Sequence, residues 1–249
     1  MKQTNNSPSS MLIAGFLLCF SISVFGEGQS RIEIRTIGIP PYGIGSGENA
    51  SGLYYDIANL LVQEAGFESN NLIYPYARIV SELKTGETDL TIMFKYPNLD
   101  DHVVYIAPLA PLKTVVLGLK GVQLHSLESL RGKTLAYLRG AQFSIEIDND
   151  TSIKKQITDD FVQGARMLVF GRVDALIGPI EPLLQAVKSI TDVDVLGEPL
   201  VVSERTPWIQ VSKMNVHQLS PTQLRGIFQN LKSNGDLDRI RHTYLPLEN

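Results

Sequence analysis

From residue 31 onward, the chain alternates short apolar runs with amphipathic stretches. RIEIRTIGI, residues 31–39, alternates polar and apolar side chains, which predicts a β-strand that Pro40 and Pro41 end. A stretch with apolar residues at helical spacing follows, with Asp56 as the predicted helix cap and Gly66 as its stop. LIYPY, ARIVSELKTG and DLTIMF then continue as strand, helix and strand. This order is typical of parallel α/β structure.

A short repeat divides the chain into two similar units. LKTGETDLTI at 83–92 and LVFGRVDALI at 168–177 share L-x-x-G-x-x-D-x-x-I, 85 residues apart. Each copy predicts a helix end, a left-handed glycine, a turn aspartate and the start of a buried strand. The alternative is that any α/β unit ends in this way.

Two extended, proline-marked segments predict that the chain crosses between two lobes twice. They are IAPLAPLKTVVLGLKG, between the two repeats, and VLGEPLVVSERTPWIQVSK, near residue 200. We therefore predict lobe I from residues 27–112 and 203–249, with the last helix pattern packed on it, and lobe II from residues 113–202. Two lobes joined by two strands form a hinge, and a hinged cleft is suited to trapping a ligand.

The first 26 residues predict an export signal. Lys2 is the only charge before the apolar run at 11–24, which is too short to span a bilayer. Cys19 follows Leu18, where lipoprotein processing requires a small residue, so we favour a soluble periplasmic product cleaved after Gly26. A retained anchor is the alternative.

The composition of the predicted mature chain excludes several functions. Removing 26 of the 249 residues leaves 223 and no cysteine, which excludes disulfides and thiol catalysis. The removed segment holds one lysine and no acid. The remaining 21 basic and 26 acidic residues therefore give a net charge of −5, with no sign of a nucleic-acid surface.

Motifs for metal, cofactor or nucleophilic chemistry are missing from the sequence. The histidines have no short spacing to each other or to a pair of carboxylates, so we predict no metal site; they are His102, His125, His217 and His242. No G-x-S-x-G elbow, phosphate loop or dinucleotide fingerprint occurs. We therefore predict no cofactor and no catalytic residue.

Tyrosines concentrate in the first half of the chain. Seven of the nine fall between Tyr42 and Tyr105. A tyrosine offers apolar area with a polar tip, which suits the wall of a cleft that holds a small polar solute. Tyr42, Tyr76 and Tyr96 follow predicted strands, at the sheet edge where α/β proteins bind ligands. The alternative is that these tyrosines belong to the core.

The order of these segments resembles the family 3 periplasmic solute-binding proteins, the amino-acid-binding type. The most specific segments are SLESLRGKTLAYLRGAQ and GRVDALI, and the resemblance covers nearly the whole mature chain. It implies a type II bilobal α/β fold, a closing hinge and capture of a small polar solute by a monomer. It also implies an inner-membrane partner, either an ABC uptake transporter or a sensor.

The resemblance also implies ligand-binding roles for particular residues. Tyr42 matches the aromatic residue that covers the ligand, and Tyr76 matches a wall position after the second strand. The stretch after the third strand is matched by Met93, Phe94 and Tyr96. Gly140, Ala141 and Gln142 match the lobe II loop whose backbone N–H groups hold the ligand carboxylate, as amides at a helix start favour an anion.

Two positions depart from that family pattern. Where α-amino-acid binders carry an arginine and an aspartate for the ligand's charges, this chain has Asp100 and Pro179. An unpaired buried ligand charge is strongly disfavoured, so the sequence argues against ordinary α-amino-acid binding. Nearby charged residues are possible substitutes and predict an anionic or neutral polar ligand; they are Arg78, Lys95, Arg139 and Glu181.

Two other functions fit the same resemblance. Cyclohexadienyl dehydratases are exported relatives that use a carboxylic acid in the cleft, and Glu181 is the only acid that we would nominate for that role. The second is a ligand-sensing partner of a membrane receptor, which would bind a solute without serving its transport.

Overall fold

The computed structural model describes residues 1–3 and 31–245. The predicted apolar run at 11–24 and the cleavage site after Gly26 lie outside the described residues. Among the residues that are described, no helix is long and apolar enough to cross a membrane.

Two five-stranded mixed sheets with flanking helices form an α/β, two-lobed fold. The strands of the first sheet, in spatial order, are β2 (Ser69–Tyr74), β1 (Ile32–Ile37), β3 (Leu90–Phe94), β10 (Pro207–Ser212) and β4 (Val103–Pro108). The strands of the second are β7 (Lys154–Thr158), β6 (Thr134–Leu138), β8 (Ala175–Pro179), β5 (Leu112–Gly118) and β9 (Leu200–Arg205). The helices are α1 (Leu53–Glu64), α2 (Tyr76–Thr85), α3 (Ile145–Asn149), α4 (Phe161–Val169), α5 (Ile180–Lys188), α6 (Pro221–Ser233) and α7 (Asp236–Tyr244).

Both sheets share one topology. In each sheet, three neighbouring strands run parallel. A fourth strand pairs antiparallel with the third of them: β10 with β3 in the first sheet, and β5 with β8 in the second. The chain passes from the first sheet to the second at residues 109–111 and returns at Thr206. The lobe boundaries predicted at 112/113 and 202/203 fall inside β5 and β9 and stay a prediction.

The repeated motif performs the same structural task in each lobe, as the sequence predicted. Gly86 and Gly171 follow α2 and α4 with φ of 79° and 68°, a conformation that glycine adopts without strain. Asp89 Oδ2 then accepts the backbone N–H of Glu33 at 2.6 Å, and Asp174 Oδ2 accepts that of Thr134 at 2.7 Å. Each aspartate therefore ties the start of one parallel strand to its neighbour.

The predicted cap of the first helix was wrong. α1 begins at Leu53 and its N-cap is Gly52, because the chain turns there with φ of 133° and a side chain would strike the Tyr42 carbonyl. Asp56 lies within the first turn instead, and its carboxylate accepts the hydroxyl of Tyr244 on α7 at 2.6 Å. This bond fastens the last helix to α1.

Each lobe has a hydrophobic core of its own. One cluster is built around Ile34, Leu61 and Phe228, and another around Leu135, Leu176 and Leu183. Ile39, just after β1, packs against both clusters. The two lobes therefore lie in contact next to the end of β1.

Candidate functional site

A cavity of about 50 Å³ lies between the sheets, at their carboxyl edges. The last residues of four strands line it: Ile37 of β1, Phe94 of β3, Leu138 of β6 and Pro179 of β8. Ligands of open α/β sheets bind at this edge. The volume is enough for a few water molecules and far below the several hundred Å³ of an ordinary ligand pocket. The lobes are thus closed on each other.

Seven of the sixteen residues that line the cavity are aromatic, and they come from both lobes. Tyr42 and Tyr54 stack with ring centroids 4.4 Å apart and planes within 10°. Tyr76 and Tyr96 meet at 5.2 Å, while Phe143 extends from lobe II. No charged side chain of residues 31–245 is part of this lining. The cavity is therefore apolar, with phenol hydroxyls as its main polar groups.

Burial raises the pKa of several of these phenols. Burial is the largest cause for Tyr76, whose pKa the neighbouring Tyr96 raises further through charge and a hydrogen bond. Burial also raises the pKa of Tyr96, although Arg205, Tyr76 and the Gln142 amide oppose the shift. Both phenols therefore stay neutral and act as hydrogen-bonding groups in this wall.

The structure brings six of the predicted site residues together. The residues that line the cavity are Tyr42, Tyr76, Met93, Phe94, Tyr96 and Ala141. Their chain positions explain this: Tyr42 follows β1, Tyr76 begins α2, Met93, Phe94 and Tyr96 lie at or after the end of β3, and Ala141 follows β6. Their role in ligand binding stays a prediction.

The three predicted basic residues lie outside the cavity. Arg78 is mostly exposed on α2, with Nε 2.7 Å from Glu82 and its guanidinium 3.7 Å from the centroid of Tyr74. Lys95 packs its ammonium 3.6 Å from the Trp208 ring centroid. The side chain of Arg139 is exposed and pairs with Asp159 at 2.8 Å. Each of these cations has a partner within its own lobe.

The backbone amides of the loop after β6 are partly engaged. The Ala141 amide donates to Leu138 O at 3.1 Å, and the Gln142 amide interacts with the Tyr96 hydroxyl. Gly140 adopts φ of 74°, and a Cβ on it would lie 3.6 Å from Tyr76 Cδ1, across the cleft. The loop therefore closes against lobe I, and the predicted anion-holding role would require some of these bonds to break.

The positions that depart from the family pattern have different surroundings. Pro179 lines the cavity and precedes the first residue of α5. Asp100 is exposed and accepts the Tyr105 hydroxyl at 2.5 Å. Glu181, in the first turn of α5, is not part of the cavity lining and lines a separate groove.

Arg205 is the residue that sequence reasoning missed. It ends β9, one residue before the chain returns to lobe I. Its guanidinium donates to Gln142 O in lobe II and, at 2.8 Å, to Lys95 O in lobe I. It also lies 4.5 Å and 4.9 Å from the ring centroids of Phe94 and Tyr96. Arg205 thus joins both lobes at the cavity, and its place beside a predicted crossing was the only signal in the sequence.

Metal-binding groups do not come together in the part of the chain that the structure describes. Residues 1–3 and 31–245 contain no cluster of three or more His, Cys, Asp or Glu side chains placed to hold an ion.

Solved structures with this architecture cover most of the chain. An ancestral arginine-binding protein bound to arginine superposes with a TM-score of 0.74 at 22% identity, covering 86% of this chain and 98% of the other. The chain has the two-lobed fold of the periplasmic solute-binding proteins. A mutant of ArgBP from T. maritima shares this solute-binding fold with a TM-score of 0.74 at 20% identity, covering 86% and 94% of the two chains.

A receptor domain shares the solute-binding fold as well. The GluR0 ligand-binding core from Nostoc punctiforme, in complex with L-glutamate, gives a TM-score of 0.73 at 17% identity and covers 86% and 99% of the two chains. No protein-family model matches the sequence, and no curated protein is similar to it in sequence. At these identities, the likeness concerns the fold.

Proposed function

We propose that this protein is an exported, periplasmic solute-binding protein that captures a small solute between its lobes. The captured solute would pass to an inner-membrane uptake transporter, or its presence would be read by a membrane sensor. The observation that carries this proposal is the closed cavity at the carboxyl edges of both sheets, lined by aromatic rings from both lobes.

Closure is the proposed mechanism. A solute that contacts both lobes binds the closed form more tightly than the open one, and so shifts the population toward closure. Arg205, which bonds to a carbonyl of each lobe, supports the closed form directly. A partner in the membrane then recognises the closed surface.

The lining favours a solute with an apolar or aromatic body. Aromatic and aliphatic groups supply nearly all of the wall, and the tyrosine hydroxyls supply its polar contacts. Because Arg78, Lys95 and Arg139 are engaged elsewhere, the basic side chains that suggested an anionic ligand are not positioned to hold one. The arginine and glutamate bound by the similar structures set the size class of solutes to try first.

Turnover has no support from the geometry. The dehydratase alternative required an acid in the cleft, and its one candidate, Glu181, is not among the residues that line the cavity. We propose that the bound solute leaves unchanged.

A solute panel tests this proposal through stability and compaction together. Amino acids, amines, dicarboxylates and sugars are added to the purified protein, and unfolding temperature and X-ray scattering are both measured. A solute at about 100 times its Kd adds roughly 2.7 kcal/mol to the free energy of unfolding, or several degrees. We expect at least one solute to raise the unfolding temperature and reduce the radius of gyration.

A cavity-filling variant provides the control for this panel. Ala141→Trp places an indole in the cavity and is expected to abolish the shift. Thr151→Trp, at an exposed position of the same lobe, leaves the shift intact. A solute that binds equally to both variants, or a panel with no compaction at all, would refute capture in this cleft.

A further inference from the structure

A second pocket lies beside the segment that crosses from lobe I to lobe II. It is the space between residues 108–112 and three helices, which contribute Ile57 of α1, Phe228 of α6 and Leu237 of α7. We call it the hinge pocket. Its volume of about 320 Å³ is several times that of the cavity between the lobes and falls within the range of small-molecule pockets.

The walls of the hinge pocket are mostly apolar. Ile57 and Phe228 are buried members of the lobe I core, and Leu237 packs against that core. The volume leaves room for roughly ten non-hydrogen atoms at the density of a liquid. The pocket therefore suits the apolar body of a small molecule, which would be removed from water there.

The charged side chains of the hinge pocket favour an anion. Lys232 on α6 and Arg241 on α7 line it, and Asp238 is its one acidic lining residue. All three are exposed. Within residues 31–245, neither cation forms a salt bridge or donates a side-chain hydrogen bond. Two free cations against one carboxylate leave an excess of positive charge, and an anion could pair with them without breaking an existing bond.

The hinge pocket shares part of its wall with the cavity between the lobes. Tyr54 of α1 and Leu112, the first residue of β5, line both spaces. A molecule in the hinge pocket therefore contacts the crossing and the wall of the cavity at the same time. Because hinge residues absorb the change in backbone angles when lobes open, the shape of this pocket depends on how far the lobes are closed.

We propose that the hinge pocket binds a small carboxylate with an apolar body, and that this ligand favours the closed lobes. The apolar body lies among Ile57, Phe228 and Leu237, and the carboxylate faces Lys232 and Arg241. A ligand that fits the pocket of the closed form stabilises that form over one with a different hinge angle. The effect on closure rests on the proposed function, whereas the site itself does not.

Three probes with one apolar chain and different head groups test the site. Octanoate, 1-octanol and octylamine are added to the purified protein below the concentrations at which micelles form, and binding is measured by calorimetry. We expect octanoate to bind at least tenfold more tightly than octylamine, with octanol between them. No binding of octanoate, or equal or tighter binding of octylamine, overturns the inference.

Charge variants assign the preference to the residues of the hinge pocket. Lys232→Met keeps an apolar side chain and removes the charge, and we expect it to weaken octanoate about threefold. Asp238→Asn removes the opposing carboxylate and is expected to tighten octanoate. Lys120→Met removes an exposed lysine outside the pocket and should leave octanoate unchanged. Equal binding of octanoate by wild type and Lys232→Met would overturn the inference.

A variant of the cleft separates the two spaces. Ala141 lines the cavity and not the hinge pocket, so Ala141→Trp should leave octanoate binding unchanged. Loss of octanoate binding in Ala141→Trp would place the ligand in the cleft and overturn the inference. Binding that occurs only after residues 246–249 are deleted would show that the chain fills its own pocket, and it would also overturn the inference. None of these results decides the proposed function, which the solute panel tests.

X-ray scattering tests the effect on closure. Arg205→Met lacks the two bonds that join the lobes, so we expect it to include more open molecules than wild type. Octanoate is expected to reduce the radius of gyration of this variant, whereas octylamine at the same concentration should not. An unchanged or larger radius of gyration at saturating octanoate would overturn the coupling of the hinge pocket to closure.

Discussion

Replacing Arg205 is the most direct test of how the closed form is held. The guanidinium donates to Lys95 O at 2.8 Å and to Gln142 O, and these acceptors belong to different lobes. Hydrogen bonds to a charged group contribute about 1.5–3 kcal/mol each when buried. Because Arg205 is half-exposed, we take about 2 kcal/mol for the two hydrogen bonds together. Losing this free energy corresponds to roughly a 30-fold change in the ratio of closed to open molecules.

Pulsed EPR between spin labels in the two lobes measures that ratio. Glu64→Cys on α1 and Thr151→Cys before β7 are exposed attachment sites, one in each lobe. We expect Arg205→Met to shift the distance distribution toward longer separations. Arg139→Met is the matched control, because Arg139 pairs with Asp159 inside lobe II. An unchanged distribution in Arg205→Met would show that Arg205 does not hold the lobes together.

Two further predictions concern the stability of lobe I. Burial opposes ionisation of Glu82, but hydrogen bonds, among them those from Arg78 and Arg35, lower its pKa overall. Glu82→Gln is expected to cost about 1–2 kcal/mol in urea unfolding at neutral pH, because a neutral amide replaces one of the two carboxylates, Glu82 and Glu33, that pair with buried Arg35. Because the pKa of Glu82 is lowered in the folded protein, this difference should be complete at neutral pH and should shrink as the pH falls below the ordinary pKa of a glutamate; a constant difference would contradict the ion pair. Gly86→Ala is expected to cost about 1–2 kcal/mol through its positive φ, whereas Gly226→Ala, in open space within α6, should add roughly 0.5–1 kcal/mol. Equal effects of the two glycine variants would contradict the backbone argument.

Local patterns in the sequence predicted the architecture well. The alternation of polar and apolar residues predicted β1, and apolar residues at helical spacing predicted α1 and α2. The repeated glycine and aspartate marked the same turn from a helix to a strand in both lobes. These features depend on neighbours within a few residues, so a sequence records them directly. The helix cap at Asp56 failed because Gly52 lies at a tight turn against Tyr42, and only the tertiary contact makes that turn visible.

The partners of charged side chains were not predictable in the same way. Lys95 packs on Trp208, more than a hundred residues away, and Arg205 reaches the carbonyl of Lys95 over a similar separation. A strand sequence indicates which face a side chain occupies, but not which remote element lies opposite that face. The tyrosines were placed more successfully, because the carboxyl ends of parallel strands meet at one edge whatever the partner.

The position of β10 between β3 and β4 has a consequence for how the protein folds during synthesis. The second lobe is one uninterrupted stretch of chain, whereas the first sheet has a gap between β3 and β4 until Pro207–Ser212 is inserted. During synthesis the second lobe therefore has all of its strands while the first still lacks the strand that separates β3 from β4. Contacts over such long sequence separations form slowly. The half-built first sheet exposes two unpaired edges during that interval, and such edges invite aggregation.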